Sequence, residues 1–531
     1  MTPDSGSPGQ WPTTTQHWVV RKPAASGKAG VVVAQSNVVA QMGADILAAG
    51  GTAADAAVAM AFALSSAEPW NSGIGGVGYA LVRTPSGDVR AVDFGPVSPL
   101  AATPALYPLT GVDSGATFGW PAVVDDRNVH GPLSACVPSA VAGYGLLHER
   151  FGRLPWQELV APAAALARRG MAKDWFSTVK LAQCASVLRR YPSTRDLYLP
   201  DGLPPVFPEQ GPPDYLSQGG LADTLDRIAR GGARAFYAGD LAADILADMA
   251  AAGAVISRDD LRRRHAEEAA APSAAWRRAG RVHHAGGLTG APTLERVMAL
   301  IATRQPGAKP DAAWFAALAS AIRQAFSERL AGLGGETDPQ AASSTCTSQV
   351  CVMDAEGMTV TLTTTLLSLM GSGVVLPRTG ILLNNGMMWF DPRPGARNGI
   401  AGGRKPLANM LPVLFVSDDG ATVIAGGASG GRRILSAVYQ MLAYLVDFAM
   451  PLEEAAHHPR IDVSGPLAVG VDRRLGRDVL DAIGAGGPAR FLEHVAAPIN
   501  FGCPAFVHSR DGIFSGVSDC MTPWSAAVVP P

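Results

Sequence analysis

The amino-acid sequence predicts an α+β protein in which helices flank a strand-rich core. Three observations carry this prediction. Val39 to Ala67 is rich in Ala, and most of residues 138–335 in Ala, Leu and Arg, as helices are. Near residue 345 the character changes to β-branched and apolar runs, which suit strands. A glycine-rich turn after Ala425 then leads into a further helical stretch, Arg432 to Val446. No internal repeat of 20 to 50 residues is apparent.

The elements follow in order. Residues 1–28 are polar and rich in Pro, Ser and Thr, and are expected to be disordered. Gly30 to Ser36 is a short apolar run suited to a buried strand. Val39 to Ala67 reads as two helices broken at Gly50 and Gly51, with Thr52 as N-cap of the second. Tyr79 to Arg83 and Asp88 to Phe94 read as strands around the turn Pro85-Ser86-Gly87. Within the helical middle, Pro192 to Gly220 is the most loop-like part. Gln349 to Asp354, Thr359 to Leu366, Gly380 to Asn384 and Ala421 to Ala425 are expected strands.

Bulk properties narrow the function classes. A chain of 531 residues with 47% hydrophobic and 17% charged residues is globular, and length alone suggests two to four domain-sized units. A formal net charge of −2 gives no electrostatic footprint for nucleic acid or an anionic membrane. The basic runs Arg262 to His265 and Arg277-Arg278 are short and lie near acids, as on a solvated helix face. No run of about 18 apolar residues predicts a membrane span, and the start lacks the pattern of a secretory signal. A cytoplasmic location is expected. The six cysteines are scattered without CxxC pairs, which suits reduced thiols. Neither His283-His284 nor His457-His458 has the context of a metal site, and no cofactor or metal is expected.

Three glycine-rich motifs need weighing. Gly73 to Gly78 fits GxGxxG, but it follows a helix and opens strands, the reverse of a dinucleotide site. Gly371-Ser372-Gly373 resembles a tight connection. Gly427 to Gly431 fits GxSxG between a strand and a helix, as a nucleophile elbow does, and Asp462 and His494 follow in the order of a serine-hydrolase triad. The alternative use of that turn is to offer the backbone N–H groups of Gly430 and Gly431 to an oxyanion.

Thr347, in the run Thr345 to Asp354, is either a β-branched strand residue or an autoproteolytic nucleophile. In the second case its hydroxyl attacks the preceding carbonyl, the peptide becomes an ester, and hydrolysis frees a threonine N-terminus. The new α-amine then serves as base for the same hydroxyl, with no histidine required.

Taken together, the motifs resemble the γ-glutamyltranspeptidase family, from about Val31 to the C-terminus. The matching stretches are Gly43 to Val58, Glu68-Pro69 with Ser72 to Gly76, Val137-Pro138 with Val141 to Gly143, and Thr347-Ser348 seven residues before Asp354 to Gly357. Gly371 to Val375, Thr379 to Asn385, Lys405 to Leu407, Gly427 to Gly431 and Pro459 to Ile461 follow. The resemblance implies an N-terminal nucleophile hydrolase with a four-layer αββα fold. It further implies a large subunit, residues 29–346, and a small subunit, residues 347–531, cut from one precursor. By position, Thr347 is the implied nucleophile, Thr365 orients its new N-terminus, and Gly430 and Gly431 supply the oxyanion donors. Thr345 is a rival start, but only Thr347 keeps the family spacing to Asp354.

The sequence departs from the family where a γ-glutamyl group is held. The arginine that meets its carboxylate corresponds to Gly95. The partners of its ammonium fall on Leu367, Gly386 and Trp389, and a pair of serines on Ala408 and Asn409. A buried zwitterion without partners binds unfavourably. The run Gly386 to Phe390 therefore predicts an apolar, aromatic acyl pocket with Asn409 as a neutral hydrogen-bonding group, while Arg432 and Arg433 remain able to meet a carboxylate elsewhere on the substrate. The leading expectation is a self-processing threonine hydrolase or acyltransferase acting on a small non-glutamyl amide or acyl substrate in specialised metabolism. The alternatives are hydrolysis of a carbon–carbon bond beside a keto group in an antibiotic pathway, glutathione hydrolysis, and an unprocessed binding homologue.

Overall fold

The computed structural model describes residues 18–113, 120–334, 345–464 and 468–531. Fourteen strands build two seven-stranded sheets. In chain order they are β1 (Ala25–Gly27), β2 (Gly30–Ala34), β3 (Val77–Arg83), β4 (Val89–Phe94), β5 (Glu267–Ala270), β6 (Ser273–Trp276) and β7 (Gly280–His284), then β8 (Thr345–Asp354), β9 (Thr359–Ser368), β10 (Val413–Ser417), β11 (Thr422–Ser429), β12 (Cys503–Arg510), β13 (Ile513–Ser518) and β14 (Ala526–Val528). One sheet has the order β14-β2-β8-β9-β3-β4-β5 and the other β1-β13-β12-β11-β10-β7-β6, with every neighbour antiparallel.

Period-two side-chain alternation lets each sheet bury both faces. Val31, Val33, Cys351 and Met353 of the first sheet meet Leu414, Ala425, Ala505 and Val507 of the second. On its other face the first sheet carries Val32, Val350, Val352 and Val360. These pack against helices that include α1 (Asn37–Ala48), α2 (Ala53–Ala67), α3 (Ala140–Phe151) and α4 (Trp156–Arg169). Helix α5 (Trp175–Leu188) lies in a separate cluster with Trp70, Leu366 and Met370. The outer face of the second sheet packs on α6 (Ala291–Ile301), α7 (Ala312–Arg329) and α8 (Arg433–Val446). The result is the four-layer αββα arrangement, helices outside and sheets inside.

Helix α2 is tied to β8 at both ends. Its start is a capping box in which Thr52 and Asp55 satisfy each other's backbone N–H. There Ala53 N–H also donates to Asp354 at 2.8 Å. At its other end Glu68 accepts from Ser348 at 3.3 Å. Fifteen helical steps and six strand steps both span roughly 20 Å, so the two elements match in length. Helix α2 thus runs along β8 from Asp354 to Ser348, the residue next to Thr347.

Several sequence expectations are corrected. Of residues 1–28, expected to be disordered, 1–17 lie outside the described residues, but 18–28 are held. β1 pairs with β13, Arg21 bonds Glu453 at 2.8 Å, and the Lys22 ammonium bonds the Ser525 carbonyl at 2.8 Å. Pro192 to Gly220 contains the helix Pro192–Tyr198 and the strand Asp214–Leu216. The helical middle also hides β5, β6 and β7; β5 and β6 are Ala-rich edge strands, and β7 is a short strand between β6 and β10. Gly380 to Asn384 forms only an isolated bridge, Val375 to Leu382. There the Asn384 amide donates to the carbonyls of Gly75 and Cys136, which directs this segment toward those loops. Among the described residues no helix is long and apolar enough to cross a membrane.

Candidate active site

Thr347 lies on β8 at an irregularity in its pairing with β9. Cys346 stands opposite Leu367, and Ser348 opposite Thr364, so β9 carries one extra residue against Thr347. The bulge brings Thr347 and Thr365 to the same carbonyl. Each hydroxyl donates to the oxygen of Cys346 at 2.6 Å. Thr365 in turn accepts from the Leu367 N–H at 2.8 Å. Leu367 has φ +85°, a conformation a branched side chain rarely adopts, and it completes the turn out of the bulge. Both threonines are buried.

A second chain of hydroxyls lies one residue further along β8. Ser72 bonds Ser348 at 2.9 Å, and Ser348 donates to Glu68. Glu68 is fully buried, and burial pushes its carboxyl up to about 7 against the pull of bonds from Asn71 and Ser348. The glutamate belongs to a stretch singled out in the sequence, but its contact with Ser348 is long-range and gave no local signal.

Gly430 and Gly431 form the turn from β11 into α8, with φ +126° and +61°. Both lie in the left-handed half of φ space, where glycine is at ease. Among the described residues neither amide donates to a protein acceptor. Gly430, Ser429 and Cys346 line one cavity, so the free turn adjoins the peptide that precedes Thr347. The serine-hydrolase reading of this turn fails. The Ser429 hydroxyl accepts from Gln35 at 2.6 Å, while His494 pairs with Asp519 at 3.2 Å and Asp462 bonds Ser464. His494, Asp519 and Cys520 are close enough to share an ion, a grouping the sequence did not reveal, but Arg460 already pairs with Asp519 at 2.8 Å.

The positions expected to shape the acyl pocket fall into separate groups. Leu367, Trp389 and Ala408 do come together, with Tyr79, Trp120, Met388 and Met410, in one apolar cluster. Gly386 does not join them. A side chain there would strike the Cys136 thiol, and its neighbours Met387 and Phe390 pack in another cluster. Gly95 is filled by a neighbour, since a Cβ would sit 2.1 Å from the Tyr79 hydroxyl. Asn409 is half-buried. Arg329, missed in the sequence, holds this region by donating to the carbonyls of Ala408 at 2.8 Å and Thr289 at 2.6 Å. Burial lowers both Arg329 and Arg432 to about 10, with the charge of Arg432 a further cause for Arg329.

Known proteins resemble this chain along most of its length. The Gamma-glutamyltranspeptidase family model matches residues 39–346 and 312–529. The Glutathione hydrolase proenzyme of Escherichia coli (strain K12) is 28% identical, over 93% of this chain and 90% of that protein. The Acylase ACY 1 proenzyme of Pseudomonas sp. (strain SE83) is 29% identical, over 94% of this chain and 93% of its own. Among solved structures, the cephalosporin acylase from Bacillus halodurans superposes with a TM-score of 0.83 at 22% identity, covering 99% of both chains.

Proposed function

The chain belongs to the γ-glutamyltranspeptidase family and is a hydrolase or acyltransferase of it; from that premise we propose a self-processing threonine enzyme whose acyl group is not γ-glutamyl. The observation that carries this reading is the convergence of Thr347 and Thr365 on the Cys346 carbonyl oxygen.

In this reading the Thr347 hydroxyl attacks the Cys346 carbonyl carbon, and Thr365 donates to the oxygen as it takes negative charge. The C–N bond breaks, the nitrogen of Thr347 gains the proton lost by the hydroxyl, and an ester joins Cys346 to the Thr347 oxygen. Water cleaves that ester, leaving a carboxylate at Cys346 and a free amine on Thr347. Residues 29–346 then form the large subunit and 347–531 the small one. In turnover the α-amine takes the hydroxyl proton, Thr347 attacks the substrate acyl carbon, and the N–H groups of Gly430 and Gly431 receive the oxyanion. The amine departs with a proton, and water or a second amine takes the acyl group from Thr347.

The departure from glutamyl chemistry is supported by the closed apolar surround of Leu367, Trp389 and Ala408 and by the filled space at Gly95. The first offers no charged partner to an α-ammonium, and the second leaves no room for a cation that would meet an α-carboxylate. We place the enzyme in specialised metabolism of small amides. The test is a panel of 4-nitroanilides: neutral acyl anilides turn over, and the γ-glutamyl anilide is a poor substrate. Efficient turnover of the γ-glutamyl anilide contradicts this reading.

A further inference from the structure

Beside the scissile peptide lies a cavity of about 380 Å³, walled by Glu68, Lys180, Cys346, Gly430 and Arg433 among others. Cys346 carries the acyl carbon that Thr347 attacks during processing. A substrate acyl carbon must take the same place, so the cavity adjoins the bond to be broken. None of Gly95, Leu367, Gly386, Trp389, Ala408 and Asn409 lines it. It is a second cavity, distinct from the expected acyl pocket.

Lys180 is the unusual member of this wall. It projects from α5 and is only 6% exposed, with its ammonium 4.8 Å from the ring centre of Phe176. Among the described residues it has no hydrogen-bond or ion-pair partner. The nearby carboxyl, Glu68, is engaged by Ser348 and Asn71 and is not within ion-pair distance of Lys180. An ammonium drawn largely out of water with no ion-pair partner is unfavourable, and burial draws its proton affinity down against the pull of nearby Cys503, Cys346 and Glu68. Arg433, by contrast, spends its guanidinium on the carbonyls of Gly430 and Ile499.

We propose that Lys180 is a recognition residue for a carboxylate on the substrate, held in this cavity beside the scissile bond. The inference rests on the function proposed above and adds a specificity-determining residue to it, whether the carboxylate sits on the acyl part or the amine part of the substrate. Burial of the Lys180 side chain beside the Phe176 ring strengthens such a pair relative to one in bulk water.

Two measurements test it on the purified full chain, as wild type, Lys180→Met and Lys180→Arg. Calorimetry with glutarate and with 3-carboxy-4-nitroaniline needs no turnover. Wild type is expected to bind one of them about tenfold or more tightly than Lys180→Met, with Lys180→Arg between. Equal affinities, or no binding of either by wild type, overturn the proposal. Kinetics then locate the carboxylate. Glutaryl 4-nitroanilide against pentanoyl 4-nitroanilide tests the acyl side, and pentanoyl 3-carboxy-4-nitroanilide against pentanoyl 4-nitroanilide the amine side. One carboxylate-bearing member should have the lower KM, and Lys180→Met should abolish that preference while kcat for the neutral anilide persists. A preference unchanged in Lys180→Met overturns Lys180 as its cause. An uncut chain that hydrolyses no anilide overturns the proposed function instead, and the calorimetry still decides Lys180.

Discussion

The hydroxyls of Thr347 and Thr365 meet at one atom, each 2.6 Å from the carbonyl oxygen of Cys346. One of them is the expected attacking group and the other the donor to the oxygen that becomes negative. Thr365 is fully buried, and its own oxygen is held by the Leu367 N–H, so its hydrogen is directed at Cys346. Removing that donor should slow processing by roughly 100-fold, the usual cost of losing one oxyanion donor. Thr365→Val tests this in a time course of fragment appearance, and Thr365→Ser should restore most of the rate. Equal rates for Thr365→Val and wild type would remove Thr365 from the reaction.

Glu68 gives the fold a pH dependence. Burial raises its carboxyl to about 7 in the folded chain, from the 4.5 of a glutamate in water. The folded state therefore holds this proton more tightly than the unfolded state. The stability this confers is complete below about pH 4.5 and is lost as pH rises through about 7. The full difference amounts to roughly 3 kcal/mol. Glu68→Gln should flatten this part of the profile, narrowing the gap between denaturant midpoints measured at pH 5 and pH 8. An unchanged gap would show that Glu68 titrates normally.

Gly95 bears most directly on the proposed change of substrate. An arginine there would have to displace the Tyr79 ring, whose hydroxyl occupies the position of a Cβ. Gly95→Arg should destabilise the fold by about 1–3 kcal/mol, as overpacking does, without creating γ-glutamyl activity. Thermal unfolding and the γ-glutamyl anilide assay check the two parts. Adding Tyr79→Ala should recover part of the lost stability, and failure to do so would locate the clash elsewhere.

The sequence makes local features legible where local chemistry decides them. Thr52 caps α2 as its position before Ala53 and Asp55 requires, and Gly50-Gly51 ends α1. The β-branched runs become β8 and β9, and α2 runs along β8 with its ends bonded to Asp354 and Ser348. What escapes is set at long range. The extra residue in β9 cannot be counted until its partner is known, and the lone ammonium of Lys180 has no meaning before α5 is placed against Cys346. Gly386 looked like part of an aromatic wall, yet Cys136, far away in sequence, turns it to another cluster. The serine at 429 looked like a nucleophile until Gln35 claimed its hydroxyl.

The most direct test of the account is the size and N-terminus of the purified protein's fragments on a denaturing gel. Wild type should yield two fragments, the smaller beginning Thr-Ser-Gln-Val-Cys-Val and spanning residues 347–531, while Thr347→Ala stays intact at 54.9 kDa. A wild type that remains one band, or a Thr347→Ala chain that is still cut at this bond, would contradict the central claim that Thr347 frees itself.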